Sequence, residues 1–228
     1  MPSLAPLPAD QQSMVERYRR RNKRRWFPRP PLPLIHNRRE TLLPECEGVK
    51  LFLGGAGNPV PPSFVNVDMS PYPGVNVIAN VEALPFADNS VAAIECDAIL
   101  EHVQAPAQAV AECHRVLRPG GFLHVVVPFC HPFHEYPRDY RRWSEDGLKE
   151  LLKEFEVVNT GFRTGPAATL LTFLLEFVKL ASPEPLKKPA YVACAWIVWP
   201  LRYLDLWLNR KPEARVLANH VYALARKR

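Results

Sequence analysis

Hydrophobic residues in this chain fall into short blocks that are rich in β-branched side chains, such as the run at 122–127. Runs of this kind favour β-strands, whereas apolar residues three or four positions apart favour helices. Strands that alternate with helices predict an α/β fold, a three-layer sandwich around a mostly parallel sheet. The predicted strands are 49–53, 64–67, 75–78, 91–96, 122–127, 157–162 and 221–225, and the predicted helices are 105–117 and 144–155.

The connections between the first three predicted strands are too short for complete crossover helices. Residues 57–64 are rich in proline, which is incompatible with the interior of a helix. Because parallel strands are normally joined by about a dozen residues or more, we expect reduced early helices, replaced by short turns or single helical turns.

A long apolar stretch separates the last two predicted strands, and we expect a helical insertion at about 166–212. Its segments 167–180 and 190–208 are interrupted by charged residues, so neither resembles a membrane span. One interpretation is a set of core helices that pack on the sheet. The alternative is an amphipathic pair that docks on a bilayer surface or forms an acceptor pocket.

Positive charge is concentrated near the start of the chain. Residues 15–39 hold ten Arg or Lys and one Glu, a local net charge of +9, so the rest carries +6 − 9 = −3. We therefore divide the chain into a basic, proline-rich arm over 1–46 and a folded domain over 47–228. The arm is either a solvated segment or a patch for anionic lipid, nucleic acid or an acidic partner. Nucleic acid is disfavoured because few aromatic residues accompany the charges.

The five cysteines are scattered and include no CxxC pair, which argues against a disulfide framework or a zinc finger. The first residues also lack the charged and apolar blocks of a secretory signal. These observations favour a reducing compartment. We expect a cytoplasmic protein, and the basic arm and the insertion keep peripheral membrane contact open.

Residues 51–68 contain an apolar run, a glycine-rich turn and a second apolar run that ends at Asp68. Glycine lets a backbone approach a ligand closely, and a carboxylate at the end of the next strand accepts hydrogen bonds from ribose hydroxyls. No lysine follows the glycines, which argues against a P-loop. The stretch therefore predicts an enzyme that binds a nucleoside cofactor.

Three further motifs follow in order, LPF at 84–86, LEHV at 100–103 and RVLRPGG at 115–121. Together with the glycine-rich loop they resemble the class I S-adenosylmethionine-dependent methyltransferases, roughly over residues 49–162. The resemblance implies a Rossmann-like domain with a seven-stranded sheet. It also implies methyltransferase activity with S-adenosyl-L-methionine as the cofactor.

The resemblance assigns cofactor-binding roles by position. The glycine-rich backbone would lie against the methionyl group, Asp68 would hold the ribose and Met69 would lie beside the adenine. Asn80 and Val81 match the position that reads the adenine edge. The pocket floor would be lined by Cys96, Asp97 and Leu100. The predicted cofactor-binding residues are Gly54, Gly55, Gly57, Asp68, Met69, Asn80, Val81, Glu82, Asp97 and Leu100.

Four positions depart from the family pattern. Phe52 stands in place of an acid, Ala56 in place of a glycine, and Asn80 and Ala92 in place of aspartates. These changes keep two alternatives open beside the enzyme, a non-catalytic binding module that retains the fold and a membrane-surface adaptor.

Residues 129–143 follow the fifth predicted strand and are dense in titratable and aromatic side chains. We predict His131 or His134 as the general base for a hydroxyl or amine acceptor, with Asp139 in the same catalytic group. The alternative is a structured loop in which these groups bond to one another. Candidates to bind an anionic group of the acceptor are Arg138, Arg141 and Arg142.

A metal site formed by His131, His134 and Asp139 is disfavoured, because no helix would hold the two histidines four residues apart. We therefore predict no metal. We expect His102 to cap or orient the helix that follows it rather than to take part in chemistry. The predicted acceptor is a small molecule or a saccharide or lipid precursor of the cell envelope.

Overall fold

A computed structural model describes residues 43–135 and 138–228 of the chain. The predicted basic arm at 1–46 therefore lies almost entirely outside the described residues. The predicted folded domain, from residue 47 onward, contains all the strands and helices discussed below.

One seven-stranded sheet forms the centre of the protein, in the strand order β3-β2-β1-β4-β5-β7-β6. The first five strands pair in parallel, and β7 runs antiparallel between β5 and β6. The predicted mostly parallel, seven-stranded sheet is confirmed. The strands are β1 (Val49–Leu53), β2 (Val65–Asp68), β3 (Val77–Ile78), β4 (Val91–Asp97), β5 (Leu117–Pro128), β6 (Glu156–Thr164) and β7 (His220–Arg226).

Two helices pack on the sheet, and three more belong to the insertion between β6 and β7. A 3₁₀ turn at Leu100–His102 also follows β4 directly. The first helix contacts β5 and the second contacts β6 and β7. The helices are α1 (Pro106–Val116), α2 (Glu145–Leu151), α3 (Pro166–Ala181), α4 (Lys187–Val198) and α5 (Asp205–Leu208).

The boundary between α1 and β5 differs from the sequence prediction. The helix ends at Val116, and β5 begins at once with Leu117 instead of at residue 122. Leu117 already pairs with Val91, and the next paired residue is Phe122 opposite Ala93. The Pro119–Gly121 segment is therefore a bulge inside the strand rather than a separate turn.

Turns held by buried amides replace the early helices, as the short connections predict. Asn66 on β2 is 1% exposed. Its side chain donates to the carbonyl of Gly74 at 3.0 Å, and its backbone N–H donates to Oδ1 of Asn76 at 2.8 Å. Within the described chain, no helix lies between β1 and β3. The two asparagines supply the hydrogen bonds that a crossover helix would otherwise organise.

The core consists of aliphatic residues on the central strands and the inner face of α1. Leu51 and Ile94 are fully buried on neighbouring strands. The helix contributes residues at helical spacing, which places one apolar stripe against the sheet. These helix residues are Ala109, Val110, Cys113 and Val116.

Asp205, a fully buried carboxylate, anchors the insertion to the domain. Its two oxygens accept hydrogen bonds from the backbone N–H groups of Ala167 and Ala168, at 2.8 and 2.9 Å. Those N–H groups belong to the first turn of α3, which has no side-chain cap of its own. A residue far along the chain thus acts as the N-terminal cap. None of the helices over the described residues is long and apolar enough to cross a membrane.

Candidate active site

A cavity of about 500 Å³ opens at the carboxyl ends of β1, β2 and β4. Ligands of open α/β sheets bind at this edge, because the loops after parallel strands meet there. Seven of the ten predicted cofactor residues line the cavity. They are Gly54, Asp68, Met69, Asn80, Val81, Glu82 and Asp97.

Gly54 gives the cavity a wall of bare backbone. Its φ of +71° is in the left-handed region, and a Cβ atom there would lie 1.8 Å from Cδ1 of Ile99. Both residues line the cavity. Glycine is therefore required here by conformation and by space, so this backbone is accessible to a ligand.

The other two predicted glycines do not line the cavity. Gly55 is buried, and a Cβ atom there would lie 2.4 Å from Oδ1 of Asn66. It lets the loop pack directly on β2 instead of contacting a ligand. Gly57 lies in the following turn, and neither residue is part of the cavity lining.

Asp68 holds the loop at the cavity edge. Its carboxylate accepts hydrogen bonds from the backbone N–H groups of Ala56 and Ser70, both at 2.9 Å, and the residue is 8% exposed. Burial raises the pKa of this carboxyl, whereas the N–H groups of Ser70 and Ala56 lower it. Each carboxylate oxygen can accept more than one hydrogen bond, so Asp68 retains acceptor capacity for a ligand.

Ala56 adopts a left-handed conformation, with φ of +48°. This backbone region favours the glycine that the family has at this position. The hydrogen bond from Ala56 to Asp68 keeps the loop in this conformation although the residue carries a Cβ atom. Ala56 therefore occupies a backbone conformation that glycine adopts more readily.

Asn80 and Glu82 form a bonded pair in the cavity lining. Oδ1 of Asn80 accepts the backbone N–H of Glu82 at 3.0 Å, and its amide donates to Oε2 of Glu82 at 3.2 Å. Oε1 of Glu82 accepts the backbone N–H of Ala105 at 2.8 Å, just before α1. Glu82 therefore ties the cavity loop to the start of the helix.

Arg115 connects two of the sequence motifs. Its guanidinium donates to the carbonyls of Leu84 and Phe86, each at 2.9 Å, and forms an ion pair with Glu112 at 2.8 Å. The first residue of RVLRPGG thus holds the first and last residues of LPF. This brace fixes the loop that carries Asn80 and Glu82 against α1.

Leu100 and Cys96 lie in the core rather than in the cavity. They are 2% and 1% exposed and belong to the central hydrophobic cluster. Their neighbours in the chain, Asp97, Ile99 and His102, line the cavity instead. The cavity is therefore lined by the neighbours of the two predicted floor residues. The alternation of side chains along β4 directs Cys96 into the core, and the 3₁₀ turn after it does the same for Leu100.

His102 is the imidazole that reaches the cavity, together with Arg138 and Tyr140. Its Nδ1 lies 2.5 Å from the carbonyl oxygen of Arg138, so the ring is held by the loop after β5. This differs from the expected capping role of His102. Capping residues and cavity residues are adjacent in this short turn, and sequence alone does not separate them.

The predicted catalytic residues His131, His134 and Asp139 lie together behind His102 and are not part of the cavity lining. The ring centroid of His134 lies 4.6 Å from that of His131 and 5.0 Å from that of His102. Burial, together with these two neighbouring imidazoles, lowers the pKa of His134 to about 4. A catalytic role for His131 and His134 stays a prediction.

Asp139 organises this loop. Its carboxylate accepts the backbone N–H of His134 at 2.8 Å and forms an ion pair with Arg142. Burial raises the pKa of Asp139, but the Arg142 guanidinium and the His134 N–H outweigh it and lower the pKa to about 2. Arg142 also donates to the carbonyl of His131 at 3.1 Å, so both charges are engaged within the loop.

The three candidate arginines therefore have different positions. Arg142 is engaged by Asp139, and Arg141 donates to the carbonyl of Val103 at 3.0 Å. Arg138 lines the cavity and is the member of the set placed to meet a ligand. The partner of Arg141 is 38 residues away in sequence, which spacing does not reveal.

Comparison with known proteins agrees with this geometry. Residues 61–125 match the family model described as a methyltransferase domain. A demethylmenaquinone methyltransferase from Renibacterium salmoninarum is 48% identical over 61 residues, which are 26% of this chain and 25% of the relative. An uncharacterised chloroplastic methyltransferase from Arabidopsis thaliana is 36% identical over 126 residues, which are 49% of this chain and 33% of the relative.

Solved structures agree on the fold. An S-adenosylmethionine-dependent methyltransferase from Thermotoga maritima superposes with a TM-score of 0.50 at 17% identity, over 82% of this chain and 84% of that one. The fold is thus that of the class I methyltransferases. The match over residues 61–125 and the shared fold support the prediction of a class I S-adenosylmethionine-dependent methyltransferase. The matches span a third or less of the two curated relatives named above.

The contact between Gly54 and Ile99 gives a direct prediction about the cavity wall. We expect Gly54→Ala to lower the free energy of unfolding by about 1–3 kcal/mol more than Gly74→Ala, because its Cβ overlaps Ile99. Gly74 is the matched control, since its φ is +89° and nothing lies within 4 Å of its Cβ position. Urea unfolding of both variants measures the difference.

The same contact supplies the check on this prediction. Placing Gly54→Ala in an Ile99→Ala background should remove most of the excess loss, because the overlapping Cγ1 and Cδ1 atoms are gone. Equal losses at Gly54 and Gly74, or no recovery in the double variant, would contradict the assigned packing.

Proposed function

We propose that this chain is an S-adenosylmethionine-dependent methyltransferase that holds its cofactor in the cavity at the carboxyl end of the sheet. The observation that carries the proposal is the pairing of a carboxylate with bare backbone across one cavity. Asp68 lines one part of it, and the Gly54 backbone lines another. A neutral ribose diol suits the carboxylate, and a methionyl chain suits a wall without side chains.

The lining fits each part of this cofactor. We place the ribose hydroxyls on Asp68 and the adenine between Met69 and Val81, with its edge toward Asn80 and Glu82. The methionyl group then extends past Gly54 toward Asp97. Met69 is 40% exposed, and an apolar ligand surface would cover it.

The acceptor enters, in this proposal, at the side formed by His102, Arg138 and Tyr140. S-adenosylmethionine supplies an activated methyl group when bound. The chain then has to align the acceptor atom, exclude water and take up the acceptor proton where there is one. His102 is the imidazole placed for that proton, with His134 and His131 behind it. Arg138 is placed to attract an anionic group.

We propose a small-molecule acceptor with an apolar part, such as a lipid precursor. One curated relative is named as a methyltransferase of demethylmenaquinone. The insertion of this chain supports an apolar acceptor, because α3 exposes an apolar row on the face opposite its buried side. The row consists of Leu170, Phe173, Phe177 and Leu180, and their exposed fractions range from 45% to 79%.

The same row supports a bilayer surface as the place where the enzyme works. Exposed apolar surface of this extent usually marks an interaction site. Trp207, 57% exposed, belongs to α5, which contacts α3, and it carries the Lys211 ammonium 3.9 Å from its ring centroid. Aromatic and cationic side chains of this kind suit the interface of an anionic bilayer.

Cofactor binding tests the proposed function. We expect Asp68→Ala to weaken S-adenosylmethionine binding by about 1–3 kcal/mol, because the ribose loses a charged acceptor in a mostly buried site. Asp68→Asn should retain more affinity, since it keeps one acceptor oxygen. Isothermal titration calorimetry measures both variants. Asp146→Ala is the control, because that side chain is 96% exposed on α2.

Two outcomes would count against the proposal. Wild-type protein that is folded but does not bind the cofactor would favour the binding-module alternative. Unchanged affinity in Asp68→Ala would exclude the proposed position of the ribose.

Vesicle binding tests the bilayer surface. We expect the double variant Phe173→Asp, Phe177→Asp to bind phosphatidylcholine–phosphatidylglycerol vesicles at least about tenfold more weakly, since two apolar contacts become charged. Both side chains are exposed, so the fold should be retained. Val158→Asp, 52% exposed on β6, is the matched control. Co-sedimentation measures the bound fraction, and equal binding of all three proteins would exclude this surface as the docking site.

A further inference from the structure

We propose that Glu101, His102 and His134 form a binding site for one divalent transition-metal ion, such as Zn²⁺, at the acceptor side of the cavity. This differs from the sequence prediction of no metal and from the set His131, His134 and Asp139 considered there. One ligand atom from each of the three residues lies within 4.8 Å of the others. The role of the ion at the acceptor rests on the proposed function, whereas its binding does not.

Glu101 is the first observation that points to a ligand. The side chain is fully buried, and neither carboxylate oxygen accepts a hydrogen bond from another residue. A buried carboxylate is normally paired or bound to a metal. The nearest imidazole nitrogens, Nε2 of His102 and Nε2 of His134, both lie 3.8 Å from its Oε1. That separation is too long for a hydrogen bond.

The two imidazoles are oriented as metal ligands usually are. Nδ1 of His102 lies 2.5 Å from the carbonyl oxygen of Arg138, and Nδ1 of His134 lies 3.4 Å from that of Pro132. Oδ2 of Asp139 lies 3.5 Å from the same nitrogen of His134. Acceptors at Nδ1 favour the tautomer in which Nε2 carries the lone pair. Such outer contacts are typical of histidines that bind metals through Nε2.

The two separations from the Glu101 carboxylate to the imidazoles are close to those around a small cation. Bonds of about 2.0–2.2 Å in tetrahedral geometry place neighbouring ligand atoms about 3.4 Å apart. The observed 3.8 Å from Oε1 to each Nε2 therefore needs a contraction of a few tenths of an ångström. Two imidazoles with one carboxylate favour zinc and its neighbours in the first transition row over magnesium or calcium.

Two segments supply the ligands, and the structure fixes them to each other. Glu101 and His102 lie in the 3₁₀ turn after β4, and His134 lies in the loop after β5. The backbone N–H of Tyr140 donates to the carbonyl of Glu101 at 2.8 Å, which joins the segments. Because His102 also lines the cavity, an ion here would lie beside the cavity. With the ion bound, Nε2 of His102 would be a ligand and would not act as the base. A hydroxyl that reaches the ion would lose its proton more readily, to solvent in the cavity.

Metal titration of the full chain tests this proposal. After removal of metals with a chelator, we expect the protein to bind one equivalent of Co²⁺ or Zn²⁺. Calorimetry and the visible absorption of Co²⁺ measure this binding. Glu101→Gln and His134→Ala should each weaken binding by about tenfold or more, as loss of a ligand requires. His114→Ala is the matched control, because His114 lies on α1 against Phe155 and outside the cluster.

The outcomes are separable. Absence of saturable binding, or binding that neither ligand variant weakens, would overturn the proposal. Circular dichroism checks that the variants fold, and His134→Ala is the safer one because its side chain is 35% exposed. Protein that binds S-adenosylmethionine but no metal would reject the metal site alone. Protein that binds metal but no S-adenosylmethionine would reject the proposed function alone.

Discussion

The hydrogen bond from the Ala56 backbone to the Asp68 carboxylate is the contact on which the cofactor side of the cavity depends. It closes the loop after β1 onto the end of β2, at 2.9 Å, and it holds Ala56 in a left-handed conformation. Together with the hydrogen bond from the Gly54 N–H to the Val67 carbonyl at 2.8 Å, it fixes the loop beside Asp68. One carboxylate thus shapes the loop and also offers acceptors to a ligand.

Hydrogen bonds of polar side chains, rather than additional helices, hold the other loops around the cavity. Asn66 supports the shortened connections after β1, and Arg115 with Glu82 ties the loop that carries Asn80 to α1. These contacts explain why the family motifs persist in a chain with reduced early helices. LPF and RVLRPGG are two halves of one brace.

Sequence predicted most of the residues that line the Asp68 side of the cavity, because the determinants are local. Their role in cofactor binding stays a prediction. The strand that ends in Asp68 and the glycine-rich turn each show in a few consecutive residues, and parallel pairing brings them together. Gly55 and Leu100 were predicted to line the cavity but do not. Gly55 packs against Asn66 and Leu100 lies in the core, and these distant contacts are not visible in the local sequence. The early start of β5 was not predicted either, since a bulge absorbs the Pro119–Gly121 segment.

The His102 and Arg138 side of the cavity could not be predicted to the same degree, because its contacts join residues far apart in sequence. Arg141 donates to the carbonyl of Val103 across 38 residues, and His102 is positioned by Arg138 across 36 residues. Glu101 gave no signal within LEHV that both of its oxygens would lie buried beside two imidazoles. The basic arm at 1–46 stays a prediction.

A crystal structure with S-adenosylhomocysteine would locate the ribose directly. We expect both ribose hydroxyls within about 2.7–3.2 Å of the Asp68 carboxylate oxygens. We also expect the homocysteine chain to lie along the Gly54 backbone. A ribose that binds elsewhere, with Asp68 still bonded only to its own backbone neighbours, would contradict the proposed site.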